Sequence, residues 1–170
     1  MELRSLNDVF EAQLGDIYDA EKQLLVALPK LAGAAQTDEL REAFETHLQQ
    51  TRGHVERLER VFSDLGMAMP SETCKAMQGL IAEGNQIVLA TGDPAAKDAA
   101  LIAAAQRVEH YEIAGYGTVR TLAKELDHGD AASLLDDTLD EESKADELLT
   151  KIATGGLFRS GVNQQAAGKR

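Results

Sequence analysis

Residues 98–118 have the sequence DAALIAAAQRVEHYEIAGYGT, and this stretch carries the strongest structural signal in the chain. Its small and apolar residues recur every three or four positions, which places them on one face of an α-helix. Asp93 and Pro94 precede the stretch as a typical N-cap and first helical residue. One acid, Glu112, interrupts the apolar face near its centre. We therefore predict a helix from residue 94 to about residue 126 that buries a carboxylate.

The same periodicity extends outward into four further segments. Ser5 is expected to cap the first helix, with Asp8 completing a variant of the capping box. Ser71 is expected to cap a shorter helix in the middle of the chain. Gly129 is expected to end the long helix as its C′ residue, and Asp130 to cap the next one. The four long predicted helices span about residues 6–33, 38–65, 94–126 and 131–154.

The connections between these helices predict the architecture. Short connections join the first long helix to the second and the third to the fourth, so each pair is expected to be an antiparallel hairpin. A long crossover containing the extra helix joins the two hairpins, which is the ferritin-like connectivity. We predict an all-α, ferritin-like four-helix bundle over residues 1–155. Periodicity is lost beyond it, so residues 156–170 are predicted to form a flexible C-terminal tail.

Composition limits the classes of function. The net charge of −12 disfavours a nucleic-acid partner, because phosphate binding needs concentrated Lys and Arg. The charge is compatible with attracting metal cations, although solvated acidic helix faces give the same total. The single Cys74 excludes an internal disulfide and a thiolate metal site, and is typical of a reducing compartment. No signal peptide or membrane-spanning stretch is evident, so we expect a cytoplasmic protein without a membrane partner.

Polar residues occupy inner-face positions that are otherwise apolar. A buried carboxylate is costly unless it is paired, protonated or bound to metal. Each of the four bundle helices contributes at least one such residue near its midpoint, and antiparallel helices of similar length bring their midpoints together. We therefore predict one polar layer at mid-height that binds metal cations. The residues concerned are Glu21, His47, His54, Glu112 and Glu142.

The two hairpins also repeat one pattern. In each hairpin, an acid of the first helix is followed at nearly the same separation by a polar residue of the second, and four residues later by another polar residue. Residues four apart share a helix face and can share a metal. The sets are Glu21, Gln50 and His54, and Glu112, Glu142 and Asp146. Glu109 adds a carboxylate one turn before Glu112. These seven residues are the candidate ligands; His47, Tyr18 and Tyr111 are expected to orient ligands or to pack beside them.

Four segments resemble the bacterial DUF892 family, the YciF and YciE family of ferritin-like stress proteins. They are IYDAEKQLLVALPKLAGAA (17–35), HLQQTRGHVERLERVF (47–62), DAALIAAAQRVEHYEIAGYGT (98–118) and TLDEESKADELL (138–149). The resemblance covers about residues 3–154. It implies a homodimeric bundle related to rubrerythrins and manganese catalases, with one or two iron or manganese ions per chain. Glu21, Glu112, Glu142 and Asp146 match the family pattern, whereas Gln50 stands where the family usually carries Glu.

We therefore expect a non-haem metal protein of the stress response, in which iron or manganese reacts with peroxide or oxygen at the carboxylate layer. Two alternatives remain open. The first is a non-catalytic protein that stores or sequesters metal. The second is a structural dimer whose polar layer is held by hydrogen bonds between carboxyl groups and histidines, without metal.

Overall fold

The computed structural model describes residues 2–156 and 159–168, which fold mainly as α-helices. The six helices of this described part are α1 (Leu6–Ala34), α2 (Asp38–Asp64), α3 (Lys75–Leu89), α4 (Pro94–Glu125), α5 (Gly129–Thr154) and α6 (Val162–Ala166). Two strands of two residues each, β1 (Gly155–Gly156) and β2 (Arg159–Ser160), form a small antiparallel ladder. The predicted all-α class and the extent of the long helices are confirmed.

The four long helices form a closed ring in which α1 packs on α2, α2 on α5, α5 on α4 and α4 on α1. Cross-helix contacts show that the two hairpins are antiparallel. Tyr18 and Glu21 of α1 meet Glu59 and His54 of α2, respectively, so one helix ascends where the other descends. In the second hairpin, Gln106 and Arg120 of α4 meet Asp146 and Asp136 of α5, respectively. Helix α3 of the crossover lies outside the ring, against α1 and α4. This arrangement confirms the ferritin-like bundle with an extra crossover helix.

The helix starts at Ser5 and Asp93 are as predicted. The Ser5 hydroxyl accepts from the backbone N–H of Asp8, and the Asp8 carboxylate accepts from the backbone N–H of Ser5. Asp93 caps α4 through the N–H of Ala96, with Pro94 as the first helical residue. Local capping chemistry is sufficient at both positions, which explains why the sequence alone predicts them.

The predicted start of α3 at Ser71 is wrong, because the N-cap is Cys74. The Asp19 carboxylate on α1 accepts the backbone N–H of Cys74 at 2.7 Å, and the Gln23 side chain donates to the Cys74 carbonyl at 3.0 Å. These contacts tie residue 74 to α1. The helix begins where the chain is held by a tertiary contact, not at the best local capping residue.

The junction between α4 and α5 also differs from the prediction. Asp127, not Gly129, adopts the left-handed conformation, with φ 60°. The N–H of His128 then donates to the Ala123 carbonyl at 2.9 Å, which completes a Schellman motif. His128 is the N-cap of α5, and Gly129 and Asp130 already belong to that helix. Asp is one of the few residues that adopts this conformation at modest cost, because its side chain is short and polar.

Helix α2 is capped by a residue that is distant in sequence. Thr37 is its N-cap, but the Thr37 side chain makes no capping hydrogen bond. The carboxylate of Asp98 on α4 accepts instead from the N–H groups of Gln36 at 2.7 Å and Thr37 at 2.9 Å. Asp98 is fully buried. It therefore links the start of α4 to the turn between α1 and α2.

The C-terminal segment, predicted as a flexible tail, contains a short helix in its described part. After Gly155, which adopts φ 73°, the chain folds back so that α6 packs on α4 and α5 and buries Val162. A five-residue helix is too short to produce a periodic pattern, which is why the sequence does not reveal it. Residues 157, 158, 169 and 170 of the predicted tail lie outside the described residues.

Candidate metal centre

Buried ionisable side chains from all four bundle helices converge at the middle of the bundle. Each belongs to an inner-face position of its helix, so the helix packing itself directs the side chain inward. The residues are Glu21 of α1, His47 and His54 of α2, Glu109 and Glu112 of α4, and Glu142 of α5. None is more than 4% exposed. The predicted polar layer is therefore present.

His54 is held in one orientation by a charged pair. Its Nε2 lies 2.8 Å from a Glu141 oxygen, and Arg57 donates to the same carboxylate through two bonds of 2.9 and 2.8 Å. Because a carboxylate only accepts, Nε2 donates a hydrogen to Glu141. Nδ1 then faces Glu142 Oε1 at 2.9 Å and Glu21 Oε1 at 3.2 Å. Metal-ligating histidines are typically oriented in this way, by a carboxylate on the opposite nitrogen.

His47 has a similar arrangement on the other side of the cluster. Its Nδ1 lies 3.4 Å from the Gln50 side-chain oxygen. Its Nε2 faces Glu109 Oε2 at 3.4 Å and Glu142 Oε2 at 3.5 Å. Both imidazoles therefore present one nitrogen to the carboxylates and the other to a side chain outside the cluster.

Many atoms of the cluster lack a hydrogen-bond partner within the described residues. Buried polar atoms nearly always have one, and each unpaired group costs about 1–3 kcal/mol. The short distances from His54 Nδ1 to the carboxylates do not satisfy hydrogen-bond geometry. The unpartnered atoms are Glu21 Oε2, His47 Nε2, His54 Nδ1, Glu109 Oε2, and both carboxylate oxygens of Glu112 and of Glu142. Their convergence is the pattern expected of ligands that surround a shared cation.

The potential ligand atoms form two groups. One group contains His47, Glu109, Glu112 and Glu142, and the other contains Glu21, His54 and Glu142. Within each group the ligand atoms lie within 4.8 Å of one another. Glu142 belongs to both groups, so its two oxygens connect the two halves of the cluster. We call these halves the His47 group and the His54 group.

In the metal-free cluster, protons take up part of the negative charge. Burial and the neighbouring Glu142 raise the pKa of Glu109 well above its usual range, and burial with Glu21 does the same to the pKa of Glu112. Burial alone would raise the pKa of Glu142, but the charges of His47 and His54 lower it. Burial disfavours the charged form of His54, yet its contacts with Glu142 and Glu21 raise its pKa to about 10. Burial and the neighbouring acids therefore favour the protonated forms of Glu109 and Glu112, and His54 is protonated near neutral pH.

Two residues that the sequence did not single out complete the cluster. The Tyr116 hydroxyl donates to Glu21 Oε1 at 2.5 Å, and Tyr116 is fully buried. Glu141 holds His54, as described above. A signal exists for each, since Tyr116 lies one turn after Glu112 on α4 and Glu141 directly precedes Glu142. Neither signal distinguishes these residues from ordinary packing and surface positions.

Most of the predicted site residues lie in the cluster or contact it. Glu21, His54, Glu109, Glu112 and Glu142 come together in the cluster. His47, expected only to orient a ligand, belongs to one of the two groups of ligand atoms. Gln50 is outside both groups and contacts His47.

The remaining predicted site residues contact partners outside the cluster. Asp146 lies at the seam between α4 and α5, where it accepts from Gln106 at 3.0 Å and lies 3.4 Å from His110. The Tyr18 hydroxyl donates to Glu59 at 3.0 Å. The Tyr111 hydroxyl donates to Asp16 and lies 3.1 Å from Cys74 Sγ.

The amino-acid sequence of the chain matches a known protein family. The family model described as a domain of unknown function, DUF892, matches residues 5–167. The chain belongs to the DUF892 family. Protein YciF of Escherichia coli (strain K12) is 45% identical over 165 residues, which cover 96% of this chain and 99% of that protein. The resemblance inferred from the sequence segments is thereby confirmed.

Two solved structures extend the similarity to the fold. The crystal structure of the E. coli stress protein YciF is 42% identical in sequence and has a TM-score of 0.88. The match covers 98% of this chain and 99% of that one. YcfI from Rhodopseudomonas palustris is 39% identical with a TM-score of 0.86, over 89% of this chain and 97% of that one. The bundle described here is therefore similar in fold to the YciF structure. In the described part of the chain, every helix is too short or too polar to cross a membrane.

Proposed function

We propose that this chain is a non-haem metal protein of the stress response that binds iron or manganese in the buried cluster and reacts with peroxide or oxygen there. One observation carries the proposal: buried ligand atoms from four helices form two groups that share Glu142, the atoms of each group lie within 4.8 Å of one another, and most of them lack hydrogen-bond partners. The similarity to the stress protein YciF supports the physiological setting.

The chemistry of the donor atoms fits iron or manganese. The cluster offers carboxylate oxygens with only two imidazole nitrogens, and hard oxygen ligands with few imidazoles suit these metals. The unpartnered oxygens of Glu112 and Glu142 provide the negative charge that a divalent cation needs in a buried site. Because Glu142 belongs to both groups, each group has enough donor atoms to bind one ion. The cluster could therefore hold one or two ions per chain.

Iron or manganese, when bound, would supply the redox chemistry that the side chains lack. The residues of this chain perform the other tasks. Glu141 and Arg57 hold the Nε2 side of His54, so that Nδ1 would be the nitrogen that binds a metal once it has lost its proton. Tyr116 fixes Glu21 by its hydroxyl hydrogen and closes the cluster on that side. Burial excludes bulk water from the carboxylates, which strengthens every electrostatic interaction among them.

The test is metal binding followed by reactivity. Protein purified without chelator is made metal-free, reconstituted anaerobically with Fe(II) or Mn(II), desalted and analysed for metal. We expect one to two ions per chain near neutral pH, and consumption of hydrogen peroxide by the loaded protein. Failure to bind more than trace metal would show that the cluster is a metal-free polar core. Tight binding without peroxide or oxygen consumption would instead identify a storage protein.

Two acids on different helix faces provide a matched pair of variants. Glu112 is fully buried with both oxygens unpartnered, whereas Glu147 is exposed and lies 3.8 Å from Lys151. Glu112→Ala is expected to weaken metal binding by at least about tenfold, the size of effect typical of altering the surroundings of a metal site. Glu147→Ala should leave metal content unchanged. Equal retention of metal by both variants would refute the assignment of the cluster.

Homodimeric assembly, which the family resemblance implies, is part of the same proposal. It is measured by sedimentation equilibrium of the metal-loaded and metal-free protein. A monomer in both states would contradict it without affecting the metal assignment.

A further inference from the structure

A pocket of about 110 Å³ opens between α2 and α5 and ends at one side of the metal centre. His47 and Glu109 contribute to its lining, and both belong to the His47 group. Gln50, which contacts His47, lines it as well. A site needs only about 10–15 Å³ of this kind of volume to hold one water molecule. The pocket therefore accommodates a small molecule of a few atoms directly beside the centre.

The two sides of the centre differ in their surroundings. Glu21 and His54 have no exposed surface, and Tyr116 packs above them with its ring 6.2 Å from that of His54. The pair of Arg57 and Glu141 covers the other nitrogen of His54. His47, by contrast, reaches the wall of the pocket. Access from outside is thus available at the His47 group and is blocked by packed side chains at the His54 group.

The walls of the pocket favour small neutral molecules over ions. Ala43 and Phe44 of α2 and Ala145 of α5 present apolar surface, which penalises the desolvation of an ion. The exposed Lys144 also lines the pocket, and its ammonium group donates to Asp140 at 2.9 Å. The charge of Lys144 is thus paired with that of Asp140 at the surface. The polar atoms of His47 and Gln50 can donate to or accept from a small neutral molecule that reaches the inner end.

We propose that this pocket is the binding site for hydrogen peroxide or an equally small neutral oxidant, and that the His47 group is the reactive half of the centre. The inference rests on the proposed function, since it assigns the route by which that function's co-substrate arrives. The two alanines in the walls set its width: a larger side chain at residue 43 or 145 would fill the space while leaving every ligand atom in place.

The experiment measures the arrival of a small neutral probe at the loaded centre. Anaerobic protein loaded with Fe(II) is mixed with nitric oxide, and the visible absorption of the iron adduct is followed by stopped flow. We expect Ala145→Leu and Ala43→Leu to slow its appearance by about tenfold or more, equivalent to at least ~1.4 kcal/mol in the barrier. Iron content should stay unchanged. Leu148→Ala, which shortens a partly exposed lining side chain, should accelerate it.

Ser143→Leu is the matched control. Ser143 is half-buried on the same helix as Ala145 but lines a different surface pocket with Arg120 and Asp136. Ser143→Leu should not change the rate at which the nitric oxide adduct forms. Circular dichroism and iron content show which variants are folded and loaded with iron. The two wall variants lie on different helices, so either one alone can test whether the pocket is the route to the centre. Identical rates in loaded parent and wall variants would overturn the pocket assignment alone. A parent that takes up no iron would overturn the proposed function together with it.

Discussion

At the scale of single residues, Tyr116 shows how one hydroxyl supports a buried acid. Glu21 has no exposed surface, and burial raises its pKa in spite of its contacts with His54 and Tyr116. The Tyr116 hydroxyl is the group that donates to Glu21 Oε1 with hydrogen-bond geometry. Loss of that donor would leave a further buried oxygen without a partner, which costs about 1–3 kcal/mol.

Tyr116→Phe is therefore expected to lower the free energy of unfolding of the metal-free protein by about 1–3 kcal/mol, measured by urea denaturation. Tyr18→Phe serves as the comparison, because the Tyr18 hydroxyl donates to Glu59 in a less enclosed position. Its effect should stay below about 1 kcal/mol, since water can replace the lost bond. Equal losses in the two variants would mean that the hydroxyl of Tyr116 has no special role beside the centre.

Gln50 stands at a position where the sequence resemblance to the family leads us to expect Glu. Its side-chain oxygen lies beside His47 Nδ1, and the residue is half-buried in the pocket wall. Gln50→Glu would place a carboxylate there, which makes the imidazole a stronger ligand and adds charge that helps two neighbouring cations coexist. We expect the variant to bind metal more tightly and to approach two ions per chain.

Gln49→Glu controls for added charge alone. Gln49 is exposed, and its side-chain oxygen accepts from Arg52 at 2.8 Å. Metal titration followed by desalting and elemental analysis compares the three proteins. Should both variants gain metal equally, the effect of Gln50→Glu would be a general consequence of net charge. Unchanged stoichiometry and affinity in Gln50→Glu would remove residue 50 from the site.

The sequence predicts which residues enter the cluster better than it predicts how they are used. An acid or histidine on an apolar helix face is visible from periodicity alone, which is how Glu21, His54 and Glu142 are found. Asp146 follows Glu142 by four residues, but four residues advance the helix by slightly more than one turn. Its side chain therefore meets Gln106 of α4 at the seam between helices. The ligand-like direction of His47 depends on rotamers and neighbours that periodicity does not contain.

At the scale of elements, helix starts divide into those set locally and those set by tertiary contacts. Ser5 and Asp93 cap their own helices, so sequence rules find them. Cys74 begins α3 because Asp19 holds its N–H, and the cap of α2 comes from Asp98, sixty-one residues from Thr37 along the chain. No local pattern contains the information about these two starts.

The remote cap predicts a large effect at one buried acid. Asp98→Ala would leave the N–H groups of Gln36 and Thr37 without their acceptor, so we expect the free energy of unfolding to fall by about 2–3 kcal/mol. Asp98→Asn keeps one acceptor oxygen and should lose less. Urea denaturation gives the magnitude, and hydrogen exchange at residues 36 and 37 localises it. Unchanged exchange at these two amides would contradict the capping role.

At the scale of the whole molecule, the bundle keeps ionisable groups buried, and this couples stability to pH. The raised pKa values of Glu109 and Glu112 mean that the folded state keeps protons that the unfolded state releases above about pH 4.5. The raised pKa of His54 acts in the same direction. Its contribution to the stability of the folded state is fully present below the pKa of the unfolded state, near 6.5, and is lost as the pH rises through about 10. Stability of the metal-free protein must therefore fall with increasing pH across this range.

Bound metal is expected to oppose this dependence, because ligation would require ionised carboxylates and a neutral His54, so that protons compete with the cation. From about pH 6 to about pH 8.5, we expect the thermal midpoint of metal-free protein to fall by ~4–8 °C, the shift produced by a loss of about 2 kcal/mol in a chain of this size. With excess Mn(II), the midpoint should exceed that of the metal-free protein by an amount that grows with pH. Differential scanning calorimetry measures both series. A gap that stays constant would mean that bound metal displaces no protons, and that Glu109, Glu112 and His54 do not titrate as this buried cluster requires.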